Sequence, residues 1–157
     1  MISLLVVYTT FMNEPQSFED NILYLIGEIT RLTHKRVSSI FLKHQFDVTV
    51  EQFGVLAVLW YQEGINLQSL SERLNRDKTT ITRIIQNMIK KNLIVKVPDQ
   101  MDKRNKLVYL TEKGRKLQKV MIDSTGVVYM DALKNIPASE VKIITKTLQK
   151  MKNNLNH

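Results

Sequence analysis

The chain has 157 residues, 43% of them hydrophobic and 24% charged, with 23 Lys and Arg against 15 Asp and Glu. That balance excludes a disordered chain, and the length fits one domain that buries a core without a disulfide or metal staple. With no cysteine, thiol nucleophiles, zinc–thiolate sites and thiol redox sensing are excluded, and the chain reads as cytoplasmic.

Five Gly and three Pro imply few tight turns and hence a helix-rich fold. Residues 1–12 hold nine apolar side chains, well short of the ~20 needed to span a bilayer. No Lys or Arg precedes them and no small-residue cleavage site follows, so neither a membrane span nor a signal peptide is expected. Residues 1–16 read as a dispensable apolar tail, which either packs on a partner subunit or precedes a true start at Met12. Ser17 to Asp20 is a variant capping box, and Ile22, Ile26, Ile29, Leu32, Val37, Ile40 and Phe41 then recur at helical spacing. The spacing predicts one long amphipathic helix over about residues 18–45. Thr49-Val50-Glu51-Gln52 is a second capping box. It opens a helix through Phe53, Leu56 and Trp60 that ends near Glu63-Gly64.

Asn66 can cap a short helix through Leu67, Leu70 and Leu74, and Asp77 a second one through Ile81, Ile84, Ile85 and Met88. Two short helices joined by a tight turn, the second rich in Thr, Lys and Arg, make a helix-turn-helix candidate. Residues 93–97 and 106–110 are β-prone runs around a polar loop from Pro98 to Asn105, which predicts a long-tipped hairpin, or wing. Thr111 can cap a long helix that runs past Gly126, where a kink or close packing is expected, and stops at Ile136-Pro137. A last helix carries Val141, Ile144, Leu148 and Met151. The fold class is therefore mainly α (α+β): a winged helix-turn-helix core flanked by long N- and C-terminal dimerisation helices. Its boundaries are 49–111 for the core lobe, with 17–46 and 112–157 as the flanking helices of one domain, 17–157.

The net charge of +8 is local: residues 1–74 carry −3, residues 75–120 carry +9 and residues 121–157 carry +2. A basic excess concentrated in the recognition helix, the wing and the helix after it favours a polyanion such as double-stranded DNA as partner. On the helix from Asp77, Lys78, Thr79, Thr82, Arg83 and Gln86 share one side and the Ile and Met residues the other. Thr offers a hydroxyl and a methyl to base edges, and Arg83 can reach a guanine or a phosphate. Fourteen residues span ~21 Å, enough for the major groove. In the wing, Lys96, Lys103, Arg104 and Lys106 place four cations on a thin hairpin able to enter the minor groove. Two readings of Asp102 stand: a buttress that pairs with the Arg104 guanidinium, weighed above the other, and a simple turn former. The rival to DNA is an acidic protein docked on the same basic segment, although docking needs neither the Thr-rich helix nor the wing Arg.

Four stretches in this order, Asp77-Lys78-Thr79-Thr80-Ile81-Thr82-Arg83, Leu93-Ile94, Asp102-Lys103-Arg104 and Leu110-Thr111-Glu112-Lys113-Gly114, resemble the multiple antibiotic resistance regulator (MarR) family of transcription factors. The resemblance is strong over 49–117 and follows the element order over 18–155. It implies a homodimer that sets two recognition helices on a pseudo-palindromic operator, with half-sites about one helical turn apart, most simply as a repressor. It further implies major-groove contacts from Thr79, Thr80 and Arg83. Arg104 would lie in the minor groove, oriented by Asp102, and Gln68 and Ser69 would donate to phosphate. Small aromatic or anionic effectors are implied too, with His34, Trp60 and Tyr61 as possible lining residues, although core or surface positions suit them better. His34 and His44 stand about 15 Å apart along one predicted helix and cannot share an ion within it, which leaves only a cross-subunit site with Asp or Glu. No glycine-rich phosphate loop, G-x-S-x-G elbow or H-E-x-x-H occurs, so neither a cofactor nor an enzyme activity is expected.

Overall fold

The structure, a computed structural model, describes residues 18–155, so the apolar tail 1–16 and the expected Ser17 cap lie outside the described residues. The chain forms two compact units that divide between Val50 and Glu51.

In the first unit a 3-10 turn, Phe18–Asp20, precedes helix α1, Ile22–Lys43. The helix begins later than the sequence suggests because Asn21 is its cap: the side chain accepts from the Leu23 and Tyr24 N–H groups at 2.9 and 3.2 Å. At its far end Gln45 takes a left-handed φ of 54°, and the Phe46 N–H reaches back to the Phe41 carbonyl at 2.9 Å. That six-residue closure satisfies a carbonyl the helix leaves open and turns the chain. Phe46 then packs edge-on against Phe41 and stacks on His44.

The second unit contains helix α2 (Val50–Tyr61), strand β1 (Ile65–Asn66), helices α3 (Leu67–Leu74) and α4 (Lys78–Lys90), strands β2 (Ile94–Pro98) and β3 (Lys106–Leu110), and helices α5 (Glu112–Ala132) and α6 (Ala138–Leu155). The sheet is antiparallel with β3 in the middle, in the order β1-β3-β2. Residue 94 pairs with 110 and residue 98 with 106, so the hairpin holds a strict register over five pairs. Strand β1 was invisible to sequence patterning: two residues are too few to show a period, and the strand exists only because β3 offers a free edge. Helix α2 accordingly stops at Tyr61, two residues before the expected end. Gly64, at φ +71°, serves as the strand's entry, where a Cβ would sit 2.9 Å from the Tyr109 hydroxyl.

The helix-turn-helix is closed by the residues the sequence nominated. Asn66 accepts from the Ser69 N–H at 2.8 Å, and Asp77 from the Thr80 N–H at 2.8 Å. Leu70, Ile81, Ile85 and Met88 are fully buried with Leu56, Leu59, Leu93 and Val108, which gives α3 and α4 one shared apolar floor. With glycine scarce, asparagine supplies the left-handed positions: Asn75, Asn92 and Asn135 all have positive φ. Asn75 and Asn92 end α3 and α4 by the same six-residue closure as α1, with Arg76 N–H to Ser71 O and Leu93 N–H to Met88 O at 3.0 Å each.

The start of α5 is bolted to the exit of α4. Thr111 caps α5 through the Gly114 N–H and donates its own hydroxyl to the Asn92 carbonyl at 2.7 Å, while its N–H reaches the Leu93 carbonyl at 3.0 Å. Gly114 lies so close to that carbonyl that a Cβ would stand 2.2 Å from its oxygen. The Gly114 carbonyl in turn accepts from the Trp60 indole at 3.2 Å. Gly126 has nothing within 4 Å of an added Cβ, so the close packing expected at that position is absent in this unit, and the helix assignment runs through it without a break.

Two outcomes follow from these contacts. Gly114→Ala forces a methyl onto a backbone oxygen that cannot yield, and we expect a loss of about 1–3 kcal/mol, read as a lower urea midpoint at unchanged m; an unchanged midpoint refutes the close approach. Hydrogen bonds from the Thr80 side chain, and then from backbone N–H groups, hold the Asp77 carboxyl below its ordinary value of 3.8. A depressed folded-state pKa means this stabilisation is full above that value and is lost as pH falls through the lowered one. Asp77→Asn keeps a neutral cap. The stability difference between wild type and Asp77→Asn should therefore shrink from pH 4 to pH 2, and a constant difference would assign the cap's strength to neutral hydrogen bonding.

Candidate nucleic-acid interface

The residues nominated on α4 divide by what they do within the helix. Lys78, Thr79, Arg83 and Gln86 are exposed, and their side chains make no hydrogen bond or ion pair among the described residues. Ile81, Ile84, Ile85 and Met88 are buried beneath them, as the helical period requires. Thr80 is committed to the cap: its hydroxyl donates to the second Asp77 carboxylate oxygen at 2.6 Å. Thr82 donates its hydroxyl to the Lys78 carbonyl at 2.7 Å. Both keep acceptor lone pairs and methyls, but only Thr79 has a hydroxyl proton free for an external acceptor.

On α3, Ser69 is half-buried and its N–H is held by Asn66, so a phosphate could meet only its hydroxyl. Gln68 is exposed and donates to Glu72 one turn on, at 2.8 Å. Ser71 donates to the Arg76 carbonyl, which braces the turn between the helices, and Arg73 donates to Gln62, which ties α3 to the end of α2.

The wing corrects one expectation. Asp102 does not pair with the Arg104 guanidinium. Its carboxylate accepts from the Arg104 backbone N–H at 3.0 Å and from the Asn105 side-chain amide at 3.2 Å. The turn-forming reading is the one the geometry follows, because a carboxylate two residues before an N–H closes an Asx turn with almost no chain to order. A second Asx turn sits beside it, Asp99 accepting from the Met101 N–H at 2.9 Å. Asp99 N–H to Asn105 O and Asn105 N–H to Asp102 O complete the tip. Asp102 thus sets where the Arg104 backbone lies and leaves the guanidinium exposed. Lys103 is exposed on the same tip, and Met101 at its apex is 95% exposed.

Three segments meet beside the wing root. A groove of about 270 Å³ is lined by Gln68 from α3, Lys78 from α4, and Lys96, Arg104 and Lys106 from the wing. Five of the nominated residues are therefore gathered at one place. Ser69, Thr79, Thr80, Thr82, Arg83, Gln86, Asp102 and Lys103 lie outside the groove lining. Lys96 is half-buried, and burial, then repulsion from Lys106, pushes its ammonium below its ordinary pKa.

Sequence reading missed the fate of the cations after the wing. Arg115 forms a two-pronged pair with Glu63, at 3.0 and 2.7 Å, and the same Glu63 carboxylate accepts from the Leu110 N–H at 2.9 Å. Lys116 pairs with Glu112 at 2.7 Å, and Lys113 donates to the Lys91 carbonyl. A separation of 52 residues between Glu63 and Arg115 leaves no local signal for the first of these. Two of the four cations of residues 111–120, Arg115 and Lys116, are thereby matched with carboxylates, whereas Lys78, Arg83, Lys103, Arg104 and Lys106 on α4 and the wing are not. Of the possible effector-lining residues, Trp60 packs edge-on against Phe53 and donates to Gly114, Tyr61 is 94% exposed and His34 is exposed. No cluster of three or more His, Asp or Glu suited to a metal ion occurs among the described residues.

Residues 48–106 match the MarR family model. The HTH-type transcriptional regulator SarZ of Staphylococcus epidermidis is 29% identical over 105 residues, covering 67% of this chain and 70% of SarZ. A putative MarR family transcriptional regulator from Listeria monocytogenes, solved in complex with a 26mer DNA, is 32% identical, with a TM-score of 0.78 over 86% of this chain and 89% of that one. CouR from Rhodococcus jostii, solved with p-coumaroyl-CoA, shares the fold at 24% identity and a TM-score of 0.78, over 87% of this chain and 94% of that one. A winged helix-turn-helix closed by the same caps the sequence announced, together with 32% identity over most of a MarR regulator, makes this chain a member of the MarR family of transcriptional regulators.

Proposed function

We propose that the protein is a sequence-specific regulator that binds double-stranded DNA as a homodimer at a pseudo-palindromic operator, and that it acts as a repressor. The observation that carries this reading is the separation of the charges. Arg115 and Lys116 of α5 have acidic partners within the fold, whereas Lys78, Arg83, Lys103, Arg104 and Lys106 are exposed and unpaired. In this reading Thr79, Arg83 and Gln86 face base edges in the major groove, with Thr80 and Thr82 as methyl or acceptor contacts. Arg104 and Lys103 enter the minor groove on the Asp102-pinned tip, and Lys96, Lys106, Gln68 and Ser69 meet the backbone. The Listeria relative's complex with DNA supports it.

The homodimer reading rests on the flanking helices. Helix α6 buries no residue in the single chain, and its Ile144, Leu148 and Leu155 lie on one exposed stripe. A contiguous apolar stripe of that kind is what a surface meant for a second partner presents. We assign 17–46 and 112–157 to the dimer, 49–111 to the DNA-binding lobe, and release from DNA to a small aromatic or anionic ligand; that CouR, which shares the fold, was solved bound to p-coumaroyl-CoA supports the binding of a ligand.

In vitro site selection from random DNA should return a two-fold related sequence. Affinity for it should fall about 10³–10⁵-fold between 50 and 200 mM salt if ~6–10 phosphates are neutralised. Arg83→Ala should cost about 1–3 kcal/mol and relax one base position, and Arg104→Ala should do the same at the flanks. No enriched sequence and a flat salt response would instead favour an acidic protein partner. Sedimentation equilibrium should give twice the 18.3 kDa of the chain. The double variant Ile144→Asp/Leu148→Asp should be monomeric and lose the operator; a wild type that sediments as a monomer refutes the dimer.

A further inference from the structure

Lys96 is set on the wing in a way that the hairpin itself does not require. It stands in the middle of β2, opposite Val108, while Lys106 stands opposite Pro98. Side chains alternate across a strand, so Lys96 shares one face with the buried Ile94 and Val108 and has Lys106 as its diagonal neighbour. Diagonal neighbours stand about 7–8 Å apart, and like charges so placed repel. A threonine at 96 would suit the strand and remove the repulsion.

The surroundings offer no relief. Lys96 is half-buried and lines the groove at the wing root, where a solute can reach it. The charges around that groove are Lys78 from α4, Arg104 from the tip and Lys106 from β3, with no carboxylate among them. Asn66, Leu67 and Gln68, from β1 and α3, are neutral. Asp102 is engaged by the Arg104 N–H and the Asn105 amide, and Lys96 has no ion-pair partner among the described residues. Partial burial and then the neighbouring cation each disfavour the ammonium, which lies below its ordinary value of 10.5. A lysine partly desolvated beside another cation is how proteins make an amine nucleophilic, and the solvated lysines of α6 have no such setting.

We propose that Lys96 is a site of acylation, where its amine takes the acyl group of an acyl phosphate or an acyl thioester. The nitrogen attacks the acyl carbonyl and a C–N bond forms. The C–O bond to phosphate, or the C–S bond to the thiol, breaks with its electron pair staying on the leaving group. The proton lost from nitrogen passes to water, and nothing is oxidised or reduced. The product amide is uncharged. It ends the repulsion with Lys106, so the hairpin keeps its fold while the face beside α4 loses a cation. The weaker DNA binding that follows rests on the DNA-binding reading above, whereas the modification itself does not.

The test begins with the full chain and no DNA. Acetyl phosphate and, separately, acetyl coenzyme A are added at pH 8, and the early acetylation of each lysine is followed by peptide mass spectrometry. Lys96 should react several-fold faster than Lys103 on the same hairpin and Lys142 on α6. Selectivity with one donor names the source, and selectivity with both assigns it to the amine alone. Lys106→Gln distinguishes an activated amine from an accessible one. Removing the repelling charge should slow Lys96 at pH 8 and move its rate–pH profile to higher pH, with Lys142 unmoved. The thermal midpoint of Lys106→Gln should stay level or rise, and a lower one contradicts the repulsion. Lys96 acetylated no faster than Lys103 by either donor overturns the proposal, as does a Lys96 rate that Lys106→Gln leaves unchanged.

A second step reads the consequence on the selected duplex. Brief acetylation should lower the wild type's affinity and reduce its salt slope by about 0.9, the value for one phosphate. The drop should be smaller in Lys96→Arg, which keeps a cation that cannot be acetylated. Selective acetylation of Lys96 with no change in affinity would leave the modification standing and overturn its consequence. Should the untreated protein bind no DNA at all, the DNA-binding reading fails and the first step alone decides.

Discussion

The close approach of Gly114 to the Leu93 carbonyl is the contact on which the lobe's geometry depends. Two backbones meet there with no side chain between them, and Thr111 ties the same few atoms twice more, to Asn92 and Leu93. Residue 93 leads out of α4 into β2, and residue 111 leads out of β3 into α5. One junction therefore closes the base of the hairpin and fixes the end of α4 and the start of α5. A thin hairpin with an exposed polar tip has little core of its own. Its direction relative to α4 is set at its root, and the root is this junction.

The tip follows a different rule. It has no apolar packing, and Asp99 and Asp102 replace packing with short-range hydrogen bonds to the backbone. A carboxylate placed near basic residues meant for a polyanion looks misplaced if only charge is counted. Geometrically it is satisfied by N–H donors within its own turn, so the cations beside it stay available. The same economy appears on α4, where Thr80 serves the cap while Thr79, Arg83 and Gln86 remain uncommitted. Charge is disposed in the opposite way on α5, where Arg115 and Lys116 find acidic partners. Buried or shared contacts thus hold the frame, and the unpaired cations are left on the surfaces shaped to meet a ligand. Lys96 and Lys106 are the clearest instance, since their mutual repulsion has no structural benefit.

Much of this was legible in the chain because the signals are local. Asn66, Asp77 and Thr111 are caps whose partners lie three residues away, and the apolar period of α4 needs only its own thirteen residues. The hairpin was legible from two β-prone runs around a polar loop. Glycine scarcity was read as a shortage of turns, yet the turns are present and use asparagine, whose short side chain tolerates the left-handed region. Asp102 was read through charge when backbone geometry governs it. The Glu63–Arg115 pair and strand β1 had no local signal at all, because each depends on a partner more than forty residues away.

By itself, then, the sequence determined the order and kind of the elements, the capped ends of α3, α4 and α5, and the concentration of positive charge in residues 75–120. Helical period, capping and charge counts act over a few residues, so they can be read in one dimension. Which cations stay free was decided only by the tertiary structure, because pairing is a matter of distance between atoms that folding brings together. Folding tied Arg115 to Glu63, left Arg83 and Arg104 open, and placed Lys78 across a groove from Lys96 and Lys106.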